Sequence, residues 1–417
     1  MTSGRITLDP ARIRELFDLR STVYARQGGA FEADPYPAFH RLRETGPVHV
    51  GTPGRLVGFE GPEFFQGLPE PNRPHVSVFD FETCDAVMRN PEVFRSAPPD
   101  PDGSFHLYEA SMLSMDGEKH RRYRALVQPS FVPAKAQWWI RNWIDATVTA
   151  LLDNIEANGR ADLNVEFCAA IPLLTICGSF GVSVDDALDI RASVTSEGQN
   201  VDTFMRIVQP IVEARRERPA DDLISILVQA ELTEDGVTHV LSDGEILAFS
   251  FLLLAAGSGT TWKQMGTTLV ALLQHPEWIG AVREDPGVLR AVVEESVRWM
   301  PTDPVFSRWA WEDTSLHGVD VPAGAVVHTC FGAANRDPAR WENPDVFDPG
   351  RTPRTHLGFG NGPHICLGMH VARAEIHTAI AAVLDRLPNL RLDPDAEPPR
   401  IIGMYERGPT AVPVVWG

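Results

Sequence analysis

The stretch His356-Leu357-Gly358-Phe359-Gly360-Asn361-Gly362-Pro363-His364-Ile365-Cys366-Leu367-Gly368 limits what this chain can fold into more than any other. Gly358, Gly360, Gly362, Pro363 and Gly368 let the backbone turn tightly around one sulfur and bring N–H groups within reach of it. Met369 to Arg386 then reads as a helix with apolar residues at helical spacing, which puts Cys366 at a helix N-terminus, where the dipole favours negative charge. A cysteine so placed is expected to lose its proton more readily and to suit a soft metal. A buried apolar cysteine at a loop–helix junction is the ordinary alternative, but it explains one letter of the pattern from Phe359 to Gly368.

A second constraint is a long helix from about Ser242 to His275, opened by the capping box Ser242-Asp243-Gly244-Glu245. A helix of that length crosses a whole molecule. Phe249, Leu252, Leu253, Ala256 and Thr260 share one face, and the small residues Ala255 to Gly259 permit either close approach of a flat ligand or a local widening of the helix. Thr260 can bond back to a carbonyl one turn earlier. Asp116 is placed to N-cap a further helix on which His120 and Arg124, four apart, can reach one anion. Taken alone, such a pair is more often solvated surface, and Glu295 and Arg298, three apart, more often form a surface ion pair.

With 417 residues, 43% hydrophobic, there is ample core, and no linker, repeat or low-complexity tract divides it, so a single domain over residues 1–417 is expected. Residues 1–33 read as an N-terminal extension and 51–74 as a Gly/Pro-rich insertion, either a decorated surface loop or a lid. The net charge of −19 argues against non-specific nucleic-acid binding. Cys84, Cys168, Cys177, Cys330 and Cys366 are scattered and odd in number, which favours a reducing compartment over a disulfide framework. Met1 to Gln27 has no hydrophobic block, and the apolar run Ile246 to Ala256 is too short to span a bilayer, so a cytoplasmic protein with no membrane anchor is expected.

Phe359, Gly362, Cys366 and Gly368 fill the pattern F-x-x-G-x-x-x-C-x-G, and with it the chain resembles the cytochrome P-450 family. His120 and Arg124 match that family's H-x-x-x-R, Glu295 to Arg298 its E-x-x-R, and Ala256-Gly257-Ser258-Gly259-Thr260-Thr261 its A-G-x-(D/E)-T-T. The resemblance implies a mainly α fold with a small β portion and a long central helix over haem b (iron protoporphyrin IX). It implies Cys366 as axial thiolate on iron. Phe359, Gly360, Gly368 and Ala256 would lie against the haem, and His120, Arg124, Arg308 and His364 would bind its propionates. Thr260 would be the oxygen-activating alcohol, in a motif shared with Ser258, Gly259 and Thr261. Phe105, Tyr108, Phe249, Leu253, Ala256, Val305, Phe306, Met404 and Tyr405 are the implied pocket residues, with packing the more ordinary role for Met404 and Tyr405, and Ser193 to Arg206 part of its roof. Glu295, Arg298 and Arg351 would form a structural network.

The activity implied is a soluble monooxygenase that inserts one atom of dioxygen into a hydrophobic terpenoid, steroid, fatty acid or aromatic. Electrons would come from NAD(P)H through ferredoxin reductase and ferredoxin, with Lys119, Arg121 and Arg122 as a basic rim for an acidic donor. Gly259 departs from the pattern, since it cannot relay a proton. Ordered water in the space it leaves, or Ser258 or Glu245, is then expected to feed the site. A peroxide-driven or non-oxidative haem-thiolate enzyme, or a haem-based sensor, remains open on the sequence.

Overall fold

The computed structural model describes residues 9–17, 31–61, 63, 72–99, 111–195, 201–234 and 237–417. Helices dominate and a small β portion accompanies them, the mainly α architecture expected. Its axis is the central helix Asp243–Gln274. The Ser242 side chain accepts the Glu245 N–H at 3.3 Å, and the Glu245 carboxylate accepts the Ser242 N–H at 2.8 Å, so both orphan donors of the first turn are satisfied. The helix stays α throughout, so the local widening allowed for at Ala255 to Gly259 does not occur. It is longer than the run Ile246 to Ala256 suggested, and long and apolar enough to cross a bilayer. Yet 67% of its most apolar window is buried inside the protein, so the core already covers that surface.

The main sheet contains β1 (Val48–Val50), β2 (His75–Val78), β3 (Phe94–Arg95), β4 (Phe306–Ala310) and β5 (Val326–Thr329), in the order β1-β2-β5-β4-β3. Only the β5–β2 pair is parallel, with Val326 opposite His75; the other three are antiparallel. Thr314–Leu316 and Val319–Val321 make the hairpin expected near Gly318, with His317 (φ 49°) and Gly318 (φ 79°) both left-handed at its tip. Ile401–Ile402 and Gly408–Pro409 form a C-terminal hairpin that docks on the central helix. The approach is close: a Cβ on Gly408 would meet the Cβ of Lys263 at 2.7 Å.

Apolar side chains fall into three clusters, the largest around the central helix. Part of the supposed N-terminal extension belongs to it. Helix Pro10–Phe17 buries Ile13, Leu16 and Phe17, and the Phe17 ring lies 4.6 Å from Trp262 with the Arg191 guanidinium 4.7 Å above it. The described part of 51–74 is likewise packed rather than a free surface loop. Thr52 caps a helical turn at Pro53–Leu56, Pro53 and Gly54 are buried, and the Gly54 N–H donates to the Tyr405 hydroxyl at 3.2 Å.

Candidate functional site

The Cys loop is shaped by what it lies against. A Cβ on Gly358 would strike the Val297 carbonyl oxygen at 2.7 Å, and one on Gly362 (φ +72°) the Met88 carbonyl oxygen at 2.2 Å. Two helices, Val288–Trp299 and Phe81–Arg89, therefore clamp the loop, and glycine is the residue that fits between them. Asn335 Oδ1 accepts the Leu357 N–H at 2.7 Å, and the Phe359 carbonyl accepts the Cys366 N–H at 2.9 Å. Gly362→Ala is expected to cost about 2–4 kcal/mol by combining backbone strain with steric overlap. Urea unfolding of the purified variant, with a lowered midpoint and unchanged slope, checks it.

Cys366 is the exposed cysteine; the other four are buried. The Gly368 N–H bonds its sulfur, as the glycine spacing suggested. The expected helix-terminus activation is corrected, however. The helix begins at Met369 with Gly368 as N-cap, beyond the cysteine. Desolvation pushes the thiol up from its ordinary value, Asp303 adds to this, and the Gly368 N–H, Arg124 and Arg373 only offset it. Phe359 sits beside the loop with the Arg373 guanidinium 4.6 Å from its ring, and Gly360 turns the chain at φ +67°.

Four basic side chains converge behind the loop. His120 and His364 stack with ring centroids 3.9 Å apart, and Arg124 donates to the Ile365 carbonyl at 2.8 Å. Arg308 is 3% exposed, and burial lowers its guanidinium to about 10. Burial, then His364 and Arg124, push His120 down to about 4, and burial with Arg308 and Arg124 lowers His364 against the pull of Asp116. The carboxylate facing this cluster is Asp116, 3.5 Å from His364 Nε2. Asp116 was expected to cap its helix with its side chain. Instead it accepts the N–H groups of Ser96 and Ala97, at 3.1 and 2.9 Å. With both imidazoles held toward the neutral form, Arg124 and Arg308 carry the charge, and two guanidiniums with two ring N–H donors suit a dianion such as the two propionates of haem.

The central helix presents a matching opening. Phe251 to Leu254 are buried and so are Ser258, Gly259 and Thr261, while Ala256 is exposed and Thr260 partly so. The Thr260 hydroxyl donates to the Ala256 carbonyl at 3.0 Å, the back-bond expected. Ser258 lies nearly opposite Thr260 on the helix, and it is 4% exposed, so it does not share the opening. Nor does Glu245, held by Tyr123 at 2.5 Å and by Ser242, some 21 Å away along the helix axis at about 1.5 Å per residue. The space beside Gly259 is faced by a carboxylate instead: a Cβ there would lie 3.4 Å from Glu406 Oε1.

Other expected pocket residues are placed differently. Met404, Tyr405 and Val305 are fully buried in the third apolar cluster, packed with Phe39 and Phe79, so their role in this structure is packing. Phe249 is buried and stacks on Tyr123 at 5.8 Å, and Leu253 is 7% exposed. Phe306 is half-buried against Phe331, with ring centroids 6.2 Å apart. Phe105 and Tyr108 lie outside the described residues, as do residues 196–200 of the roof. Of the basic rim, Arg121 and Arg122 both pair with Glu118, and Lys119 lies 5.8 Å over the Tyr123 ring.

Glu295, Arg298 and Arg351 do meet. Arg298 binds Glu295 through Nε and NH2, both at 2.7 Å, and donates to the Asn335 carbonyl at 2.8 Å; Arg351 Nε reaches Glu295 at 3.3 Å. Missed on the sequence were Lys263, Asp303 and Glu406. The available signal was a lysine in the interior of an apolar helix, which needs a carboxylate partner.

An exposed cysteine in a glycine cradle, a small-residue stretch left uncovered on a long helix, and two histidines with two arginines behind the loop are the parts a haem-thiolate protein needs. The comparisons agree. The sequence profile described as Cytochrome P450 matches residues 188–404. The chain is 35% identical over 344 residues to the mycinamicin IV hydroxylase/epoxidase of Micromonospora griseorubida, covering 79% of this chain and 85% of that protein. It is 30% identical over 392 residues to the 6-deoxyerythronolide B hydroxylase of Saccharopolyspora erythraea, covering 90% and 94%. Among solved structures, the Bacillus subtilis bacillaene polyketide synthase cytochrome P450 PksS superposes with a TM-score of 0.81 at 28% identity over 92% of this chain and 97% of that one. The chain belongs to the cytochrome P450 family. It is a haem-dependent oxidoreductase of the monooxygenase type, and dioxygen and redox partners are part of its chemistry.

Proposed function

We propose that this chain is a cytoplasmic, single-domain monooxygenase using haem b, which inserts one oxygen atom from dioxygen into a hydrophobic small molecule. Electrons come from NAD(P)H through ferredoxin reductase and ferredoxin. The observation that carries the reading is that Cys366, in the glycine loop, is the exposed one of five cysteines, while the central helix, buried over Phe251 to Leu254 and again from Thr261, is exposed at Ala256 and partly so at Thr260. Haem, when bound, supplies the oxygen chemistry itself. Cys366 holds the iron, Gly368 hydrogen-bonds the sulfur, and His120, Arg124, Arg308 and His364 hold the propionates. Ala256 gives the flat group room, and Thr260 holds a hydroxyl beside it. Phe249, Leu253 and Phe306 keep the surroundings apolar and exclude water.

Terpenoids, steroids, fatty acids and aromatics are the candidate substrates. The names of the macrolide- and polyketide-linked relatives add polyketide-derived compounds to them. A screen of such compounds for the low-to-high-spin optical shift tests the class. The best compound is then turned over with ferredoxin, its reductase and NADPH, or with hydrogen peroxide alone. Product in the first arm is expected; product confined to the peroxide arm replaces the reading with a peroxygenase, and a spin shift with neither product replaces it with a sensor.

A further inference from the structure

Two carboxylates stand where the central helix has none. Glu406, from the C-terminal hairpin, forms an ion pair with Lys263, whose side chain is 1% exposed, and its Oε1 lies 3.4 Å from the position a Gly259 Cβ would occupy. Asp303 comes from a segment stitched to both partners. The neighbouring Thr302 donates its N–H to Gln264 Oε1 at 3.0 Å and its hydroxyl to the Thr260 carbonyl at 3.4 Å, while the Arg407 N–H bonds the Thr302 carbonyl at 2.6 Å. Asp303 Oδ1 is buried and has no hydrogen-bond partner among the described residues. The backbone is fixed tightly here, since Gly408 touches the stem of Lys263.

The charges facing this spot are Lys263 on the central helix, Arg191 on helix Val184–Thr195, Asp303 and Glu406, with the Cys366 sulfur further on. Of the two carboxyls, Glu406 is paired with Lys263 while Asp303 keeps an unpartnered buried oxygen, so Asp303 is the one placed to hold a proton. Burial, reinforced by Glu406 and opposed by Lys263, pushes Asp303 up to about 7. Its contribution to stability is full at acid pH and is lost as pH rises through that value.

We propose that Glu406 and Asp303 form the proton-supplying carboxyl pair of this site, doing from the C-terminal hairpin and the segment after Trp299 what Gly259 cannot do from the helix. The inference rests on the monooxygenase reading above. In the step, an O–H bond of the pair breaks and a new O–H bond forms on a water molecule at the Thr260 side of the helix, and the carboxylate left behind regains a proton from solvent. No electron moves.

The test has a spectroscopic arm and a turnover arm. In the haem-loaded protein, a protonated carboxyl band in the infrared is expected to titrate near neutrality and to vanish in Asp303→Asn. With the best screening compound, ferredoxin and NADPH, Glu406→Gln is expected to raise hydrogen peroxide release. Product formed per NADPH should fall at least about 10-fold, within the range of a lost general acid. Glu406→Gln with Gly259→Asp returns a carboxylate one helical turn from Lys263 and should restore coupling. A native protein without the thiolate carbon monoxide band would sink the monooxygenase reading instead. With that band intact, three results overturn this inference alone: no titrating carboxyl, unchanged coupling in both single variants, or a loss that Asp at position 259 does not repair. Should Glu406→Gln fail to fold, Asp303→Asn decides the question, because it leaves the Lys263–Glu406 pair in place.

Discussion

Cys366→Ser is expected to abolish the red-shifted absorption of the reduced, carbon monoxide-treated protein and, with it, essentially all oxygen insertion. Serine keeps the size of the side chain and can still accept the Gly368 N–H. Its hydroxyl, however, does not ionise at neutral pH, so the electron-rich anionic ligand is lost. Folding should be little affected, because serine matches the thiol in size and Cys366, unlike the other four cysteines, belongs to none of the apolar clusters. Far-ultraviolet circular dichroism and the carbon monoxide difference spectrum, measured on one sample, separate the two effects. Persistence of the red-shifted band in the serine variant would move the ligand to another residue. The other four cysteines, Cys84, Cys168, Cys177 and Cys330, are buried in the apolar clusters, so none of them is placed to substitute.

Arg298→Ala is expected to yield protein that is about 3–5 kcal/mol less stable and retains little haem. The arginine and its partner Glu295 are nearly inaccessible, with side chains 2% and 5% exposed, so removing the guanidinium strands a buried carboxylate. The damage also propagates. Arg298 donates to the Asn335 carbonyl, Asn335 Oδ1 holds the Leu357 N–H, and the loop that leads to Cys366 starts there. Arg298→Lys should rescue little, since one ammonium cannot reproduce the paired contacts to Glu295 and the carbonyls of Asn335, Pro344 and Val346. The haem-to-protein absorbance ratio and the urea midpoint report the outcome. A variant with both at native values would mean the network is dispensable.

Much of this was legible in the sequence because it was local. The capping box fixed the start of the central helix, and glycine spacing marked a loop with no room for side chains. Where side chains chose distant partners, local reasoning failed. Asp116 stands at the start of a helix, but it spends its oxygens on Ser96 and Ala97. Met404 and Tyr405 take the packing role that was the ordinary expectation for them, and it is the next residue, Glu406, that reaches the central helix unforeseen. Helix periodicity showed where Gly259 faces, not which residue from the far end of the chain would meet it. Lys263 carried that information as an unexplained charge in an apolar helix.

The clamping of the Cys loop also sets an order of events in the cell. Met88, His120, Val297, Asn335 and Arg308 must all be in position before the loop containing Cys366 has its shape, and the hairpin bearing Glu406 is made later still. As a ribosome releases the chain from its N-terminus, the helices and sheet can begin to settle, but the pocket for the pigment closes only once the Cys loop has been made. Colour should thus be acquired only by chains that extend past the loop, and nascent fragments ending before it should emerge pale however well they fold.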